Sequence, residues 1–306
     1  MARLRALGQA RRVRIWVTGA AGFVGRRLIA RLAAADHVVT GVDREVEITD
    51  APRVARSLAG ARPDAIVHLA ALSSPAHAQR EPEHAARVNY LGTRAVLEAA
   101  RREAPAARVL LVTSGEAYGS SAPGAAPFRE DDPLAPRTPY ARSKACADLL
   151  GARYAASGLD LVRIRPFNHT GPGQSEDFVA PSFARQVAAI AAGRREPRLS
   201  VGNLASVRDF LDVEDVLDAY QRLLDPGVPA GVYNVASGIG RRIGDLLETL
   251  IELSGATCTI EVDALRVRPT DCAVGDASRL RAVTGWEPRI PWRETLRRVL
   301  AAAQAA

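Results

Sequence analysis

The stretch Val13-Arg14-Ile15-Trp16-Val17-Thr18-Gly19-Ala20-Ala21-Gly22-Phe23-Val24-Gly25 decides the fold. Val13–Thr18 is a β-branched, apolar run with the pattern of a buried strand. Helical periodicity follows over Phe23–Ala35. Between the two, Gly19 permits a tight turn and Gly22 lets the backbone approach a pyrophosphate. Gly25 lets the new helix pack closely on the sheet. The spacing is GxxGxxG rather than GxGxxG, but the physics is shared: N–H groups at a helix start receive phosphate. Asp43 closes the next strand, His37–Asp43, and lies 18 residues beyond Gly25. Its carboxylate suits the ribose of NAD, and Arg44 beside it suits the 2′-phosphate of NADP, so the residues leave both cofactors open.

Outward from this unit the chain alternates. Asp50 caps an expected helix over Ala51–Leu58. Ala65–Leu69 reads as a third strand, Glu81–Glu103 as one long amphipathic helix and Arg108–Thr113 as a fourth strand. Tyr140–Ser157 reads as a helix and Leu159–Arg165 as a fifth strand. Strands alternating with helices imply right-handed crossovers and a doubly wound, Rossmann-like parallel sheet. After Pro166 the rhythm breaks at Gly171-Pro172-Gly173, with a return strand at Val232–Val235. The expected division is a dinucleotide-binding domain over residues 13–167, with a return segment at about 208–237. Residues 168–207 and 238–306 would form a smaller C-terminal α/β substrate-binding domain.

Composition narrows the class. The chain has 306 residues, 47% hydrophobic and 25% charged, which suits a packed globular protein. No apolar run reaches membrane-spanning length. Met1–Arg12 carries four arginines and no apolar core, so it does not read as a secretory signal. The net charge is +7, yet the basic residues are scattered and form no stripe interleaved with aromatics. An anionic small molecule fits that balance better than nucleic acid. Cys146, Cys258 and Cys272 form no CxxC, and the histidines offer no i, i+4 ligand pair, so neither a disulfide framework nor a metal site is expected. That cysteine usage points to a reducing, cytoplasmic setting.

Of 41 basic side chains, 40 are arginine and one is lysine, Lys144. An ammonium is compact and can shift its pKa, which a guanidinium cannot do. Lys144 lies four residues after Tyr140 in Tyr-Ala-Arg-Ser-Lys. On a helix that spacing puts both on one face. A nearby cation is expected to lower the phenol's pKa and make it a usable acid or base.

Taken together, Thr18-Gly19-xx-Gly22-Phe23-x-Gly25, His68-Leu69-Ala70-Ala71, Ser114 before Tyr118, and Tyr140-xxx-Lys144 resemble the extended short-chain dehydrogenase/reductases. The resemblance spans about Val13 to Leu300. It implies that Tyr140 exchanges a proton with the reacting sugar oxygen, that Ser114 hydrogen-bonds the same oxygen, and that Lys144 holds the nicotinamide ribose. It implies a cofactor site of Gly19, Gly22, Phe23, Val24, Gly25, Asp43, Arg44, Leu69, Ala70 and Ala71, with Tyr140 and Lys144. Arg165–Gln174, Val201–Phe210, and Arg266–Asp276 with Thr284-Gly285-Trp286-Glu287-Pro288 are similar to the nucleotide-sugar branch. They are most similar to the GDP-6-deoxy-4-keto-mannose reductases and, one step away, the GDP-mannose 4,6-dehydratases. By that resemblance Asn168, Arg208 and Arg268 hold a sugar-nucleotide diphosphate, Val179 and Arg185 lie beside the nucleobase and ribose, and Ser73 reaches the hexose. A homodimer through Glu81–Glu103 and Tyr140–Ser157 is also implied.

Three positions depart from the family pattern or leave it ambiguous. Glu47 stands where an Asp commonly contacts adenine, which leaves NAD against NADP open. Gly115 replaces a Ser or Thr beside Ser114. Glu116 fits a dehydratase acid–base, yet related reductases carry it too. The expected activity is reduction of the C4 keto group of a GDP-4-keto-6-deoxyhexose. A 4,6-dehydratase, a C4 epimerase and a non-catalytic nucleotide-sensing module on the same fold are the competing readings.

Overall fold

The computed structural model describes residues 12–122, 124–263 and 270–306. In chain order it runs β1 (Arg14–Thr18), α1 (Phe23–Ala34), β2 (Val38–Val42), α2 (Ala51–Ala61), β3 (Ala65–His68), α3 (Pro75–Arg80) and α4 (Pro82–Ala86). A π-helical segment, Arg87–Gly92, then leads into α5 (Thr93–Glu103), β4 (Arg108–Val112), a 3₁₀ turn at Gly115–Tyr118, α6 (Pro139–Ala156), β5 (Leu161–Pro166) and β6 (Asn168–Thr170). The rest is α7 (Val179–Ala191), β7 (Arg198–Val201), β8 (Val207–Asp212), α8 (Val213–Leu223), β9 (Gly231–Val235), β10 (Gly240–Arg242), α9 (Ile243–Ser254), β11 (Thr259–Val262), β12 (Cys272–Ala273), α10 (Ser278–Thr284) and α11 (Trp292–Gln304).

Six strands form one parallel sheet in the order β2-β1-β3-β4-β5-β9. Both faces are covered, which is why these strands read as continuous apolar runs rather than alternating ones. Ile15, Val17 and Val67 face the core shared with α1 and α8. Trp16, Ile66 and Val109 face the core shared with α2 and α5. The chain leaves β1 toward β2 and returns to β3 on the other side. The strand order therefore reverses at β1/β3, and a crevice opens above the carboxyl ends there.

A smaller C-terminal region holds a mixed sheet, β10-β8-β12, with β6 alongside β8, and a separate β7/β11 pair. Its core lies among α7, α9 and α11, from Phe183, Val187, Leu246, Leu250 and Leu296. Trp286, just past α10, packs instead into the core of the large sheet. Among the described residues no helix is long and apolar enough to cross a membrane.

The helix expected over Glu81–Glu103 is divided. Pro82 restarts the chain after α3, and the segment Arg87–Gly92 is wound as a π-helix. Its wider turn directs Asn89 inward, and Gly92 presses on Ile48 so closely that a Cβ there would lie 2.7 Å from the Ile48 side chain.

Candidate active site

The crevice is a cleft of about 1400 Å³ that runs from the glycine loop to the C-terminal sheet. At its floor Gly19 has φ +71°, in the left-handed region, and a Cβ there would lie 2.9 Å from the Ala70 backbone nitrogen. A Cβ on Gly25 would run into the Gly19 carbonyl. Extended Gly22 opens α1, no side chain caps that helix, and its first turn carries no acid. The loop therefore presents backbone N–H groups at a positive helix end whose own first turn carries no acid, which is a cradle for pyrophosphate. Phe23, Val24, Leu69, Ala70, Ala71 and Ser73 line the same cleft.

At the end of β2 the Asp43 carboxylate accepts from Ala21 N–H at 2.9 Å and from Arg44 N–H at 3.0 Å. Asp43, Arg44, Glu45 and Glu47 all face the cleft.

On the far wall Thr138 caps α6 by accepting from Ala141 N–H at 3.1 Å, and Pro139 starts its first turn. That start fixes Tyr140 and Lys144 one turn apart, 9% and 6% exposed. Ser114, at the carboxyl end of β4, caps the 3₁₀ turn by accepting from Glu116 N–H at 3.1 Å and lines the same cleft as the Tyr140 phenol. The Lys144 ammonium donates to the Val112 carbonyl at 3.0 Å. Burial lowers Lys144 to about 8. The expectation for Tyr140 is corrected here: its pKa is raised, not lowered. Burial is the main cause and the Glu116 carboxylate adds to it, against a lowering influence of Ser114. The lysine's charge is directed at the Val112 carbonyl instead. The phenol is thus held protonated, as a donor.

Behind this wall His68, quoted above only as part of a motif, takes a definite place, and Asn89, Thr93 and Ser143 were not singled out from the sequence. His68 is fully buried between Thr18 Oγ1, at 2.8 Å, and Thr93 Oγ1, at 3.1 Å. Thr93 donates to the Asn89 carbonyl, and Ala70 N–H donates to Thr18. The chain of donors then requires a neutral imidazole protonated at Nε2. Burial first, and Lys144 second, lower His68 to about 3, which keeps it neutral. The Asn89 amide bridges both backbone groups of Leu72 to the Ser143 hydroxyl, and Ser143 in turn donates to the Tyr140 carbonyl. The one signal in the sequence was an Asn and a Thr four apart on an otherwise apolar helix face. Gly115 has a steric reason: a Cβ would lie 2.9 Å from the Phe167 ring.

The C-terminal region supplies the opposite rim. Asn168, Val179 and Arg208 line the cleft from this side, and Glu116 lines it from the 3₁₀ turn after β4. Asn168 donates to the Asp209 carbonyl at 3.3 Å. Arg208 pairs with Asp271 at 2.7 Å, while neighbouring Asp209 is turned inward to Ser237, Gly238 and Gly275. Arg185 is not brought to the cleft. Six residues past Val179 it points about 240° around α7, where it pairs with Glu176 at 3.1 Å on the surface. Arg268 lies outside the described residues.

The profile of the NAD dependent epimerase/dehydratase family matches residues 15–236, from the first strand through the last strand of the parallel sheet. The chain belongs to this family. It is an NAD(P)-dependent enzyme acting on a nucleotide sugar. It is 38% identical to the GDP-6-deoxy-D-mannose reductase of Pseudomonas aeruginosa over 292 residues, covering 94% of this chain and 96% of that one. It is 31% identical to the UDP-glucose 4-epimerase of Mycolicibacterium smegmatis, over 92% and 96%. The structure of RMD from Pseudomonas aeruginosa complexed with NADPH superposes with a TM-score of 0.88 at 36% identity, over 96% and 99% of the two chains. The Thermus thermophilus UDP-glucose 4-epimerase complex with NAD gives 0.84 at 27%, over 95% and 99%. The glycine cradle, the acidic end of β2 and the Tyr140/Lys144 pair in one cleft fit a nicotinamide dinucleotide.

Proposed function

We propose that this enzyme reduces the C4 keto group of a GDP-linked 4-keto-6-deoxyhexose. The observation that carries the reading is the Tyr140 phenol, buried and held protonated in the cleft that Ser114 also lines, with the Lys144 ammonium one turn away. A bound nicotinamide dinucleotide supplies the hydride for C4. Tyr140 gives its proton to O4 as the carbonyl becomes an alcohol. Ser114 donates to the same oxygen and stabilises the charge that develops on it. Lys144 orients the ribose of the dinucleotide and supplies a cation near the phenol when the proton leaves. Asn168, Arg208 and Arg268 would take the diphosphate, for which planar guanidinium groups are suited. Val179 would lie beside the base and Ser73 beside the hexose. The 38% identity to a GDP-6-deoxy-D-mannose reductase supports the GDP-linked substrate.

The test is a mixture of this chain, a GDP-4-keto-6-deoxyhexose and a reduced dinucleotide. Loss of reduced-nicotinamide absorbance in step with product is the expected result. Tyr140→Phe removes only the hydroxyl and should lower turnover by at least about 10²-fold while dinucleotide affinity stays within about twofold. Unchanged turnover would refute the assignment. A second reading rests on Glu116, whose carboxylate lines the cleft and acts on Tyr140. In that reading Glu116 would serve as the acid–base of a 4,6-dehydratase. That activity would convert a GDP-hexose with no net change in dinucleotide, and the same assay separates the two.

A further inference from the structure

Beside the catalytic cleft lies a second cavity, of about 210 Å³, and Phe210 on β8 lines both. The Phe210 ring stacks on Trp292 of α11, with centroids 5.1 Å apart. Ile239 extends the apolar lining and is itself exposed, so the cavity is reachable from solvent. Arg241 on β10 lines the same cavity, with its guanidinium over the Trp292 ring, 5.4 Å from the centroid. Its Nε–H is buried without an acceptor, and it forms no ion pair with any described residue. Its neighbour Arg242, by contrast, pairs with Asp245. Directly opposite Arg241 on the antiparallel β8/β10 ladder stands Arg208. Such partners share one face of the sheet, where like charges repel. Asp271 offsets Arg208, and no described carboxylate does the same for Arg241. Burial pulls the Arg241 pKa below its ordinary value, despite the Asp209 charge that pushes it up. The carboxylates around the cavity are already engaged. Asp209 accepts from Ser237, Gly238 and Gly275, and Asp212 from Arg298 and Glu214 N–H. Asp215 accepts from Arg289 N–H on one oxygen and Ile290 N–H on the other. The unmet demand is for an acceptor at Arg241.

We propose that this cavity binds a small organic acid, a carboxylate on a flat apolar body of about the size of benzoate. One carboxylate oxygen accepts from the Arg241 Nε–H and the other from an Nη–H, the two-pronged pairing for which a guanidinium is suited. The apolar body covers the Phe210 and Trp292 rings. A dry cavity of about 150 Å³ is enough for benzene, so 210 Å³ leaves room for the carboxylate as well. An inorganic anion would meet the charge but leave the aromatic wall uncovered. The site is separate from the reaction proposed above and does not depend on it.

The experiment is a calorimetric titration of the full chain with benzoate, repeated with uncharged benzyl alcohol and with inorganic phosphate. Benzoate should bind, and each of the other two should bind at least about tenfold more weakly. Arg241→Met keeps an apolar stem and removes the guanidinium. It should weaken benzoate at least about tenfold, with circular dichroism and melting temperature showing the fold intact. Arg241→Lys keeps the charge without the paired N–H groups and should recover only part of that loss; it carries the test if Arg241→Met does not fold. Benzoate binding should persist with NADH and GDP both present in excess. Absence of benzoate binding up to about 10 mM, equal affinity in Arg241→Met, or displacement by NADH or GDP would overturn the site. Phosphate binding as tightly as benzoate would overturn the organic acid as its ligand. Full affinity in Arg241→Lys would overturn the two-pronged pairing.

Discussion

Tyr140 and Lys144 share one helix turn, but burial drives their pKa values apart: the phenol is raised and the amine is lowered to about 8. The neutral phenol and the charged amine therefore coexist only below about pH 8. Above that pH the ammonium loses its proton, so kcat/KM for the dinucleotide, which reports the free enzyme, should fall through an alkaline limb near pH 8. Lys144→Arg, charged at every accessible pH, should move that limb beyond about pH 10 while lowering turnover, because a guanidinium does not fit a site built for one ammonium. A limb still at pH 8 in that variant would assign it elsewhere. The sign for stability follows from the same shift. The unfolded lysine keeps its proton up to its ordinary value of 10.5, and the folded one loses it at about 8. The unfolded state therefore binds more protons between those values, and this group's contribution to stability rises with pH across the window. The sequence made Lys144 conspicuous as the sole lysine, but it did not show which group the ammonium would face. The Val112 carbonyl reaches it through the packing of β4 against α6.

At the scale of elements, the glycine loop was legible because each glycine answers a local demand of turn, phosphate approach or helix packing. Gly25→Ala tests the last of these. The added methyl meets the Gly19 carbonyl, so the loop or the start of α1 must shift. A cost of about 1–3 kcal/mol in denaturant unfolding is expected, together with at least a tenfold loss of dinucleotide affinity by fluorescence titration, about 1.4 kcal/mol. The strands were legible because burial on both faces leaves unbroken apolar runs. The π-helical segment was not. Its residues keep ordinary helical periodicity, and the widened turn exists only because Gly92 lies against Ile48 and Asn89 must reach Leu72 and Ser143. Helix α7 shows the opposite case: periodicity alone would have turned Arg185 away from Val179's face, and the structure does so.

Over the whole molecule, one fully buried carboxylate ties the active-site wall to the sheet. Asp148, one turn past Lys144, accepts from the Thr113 hydroxyl, from Arg163 and, through both oxygens, from Arg165. Burial alone would raise its pKa, but Arg165 and Arg163 outweigh that and hold it low. Arg165 continues to the Tyr118 hydroxyl, which donates to Asn234 on β9. Asp148→Ala leaves two guanidinium groups without their shared partner and should cost about 3–5 kcal/mol in urea unfolding. Asp148→Asn, which keeps the shape, should cost less. Equal stability of Asp148→Ala and the parent would show the clamp to be unimportant. Asp148, Arg165, Tyr118 and Asn234 lie far apart in the chain and carry no local pattern, so nothing in the sequence joined them. The order of strands and helices, the glycine cradle and the Tyr140/Lys144 spacing were determined by the sequence itself, because each depends on residues within a few turns of one another. Which way Lys144 donates, that Tyr140 is raised rather than lowered, and that Arg208 pairs with Asp271 were decided only by the tertiary structure. Those outcomes depend on burial and on charges brought together from distant segments.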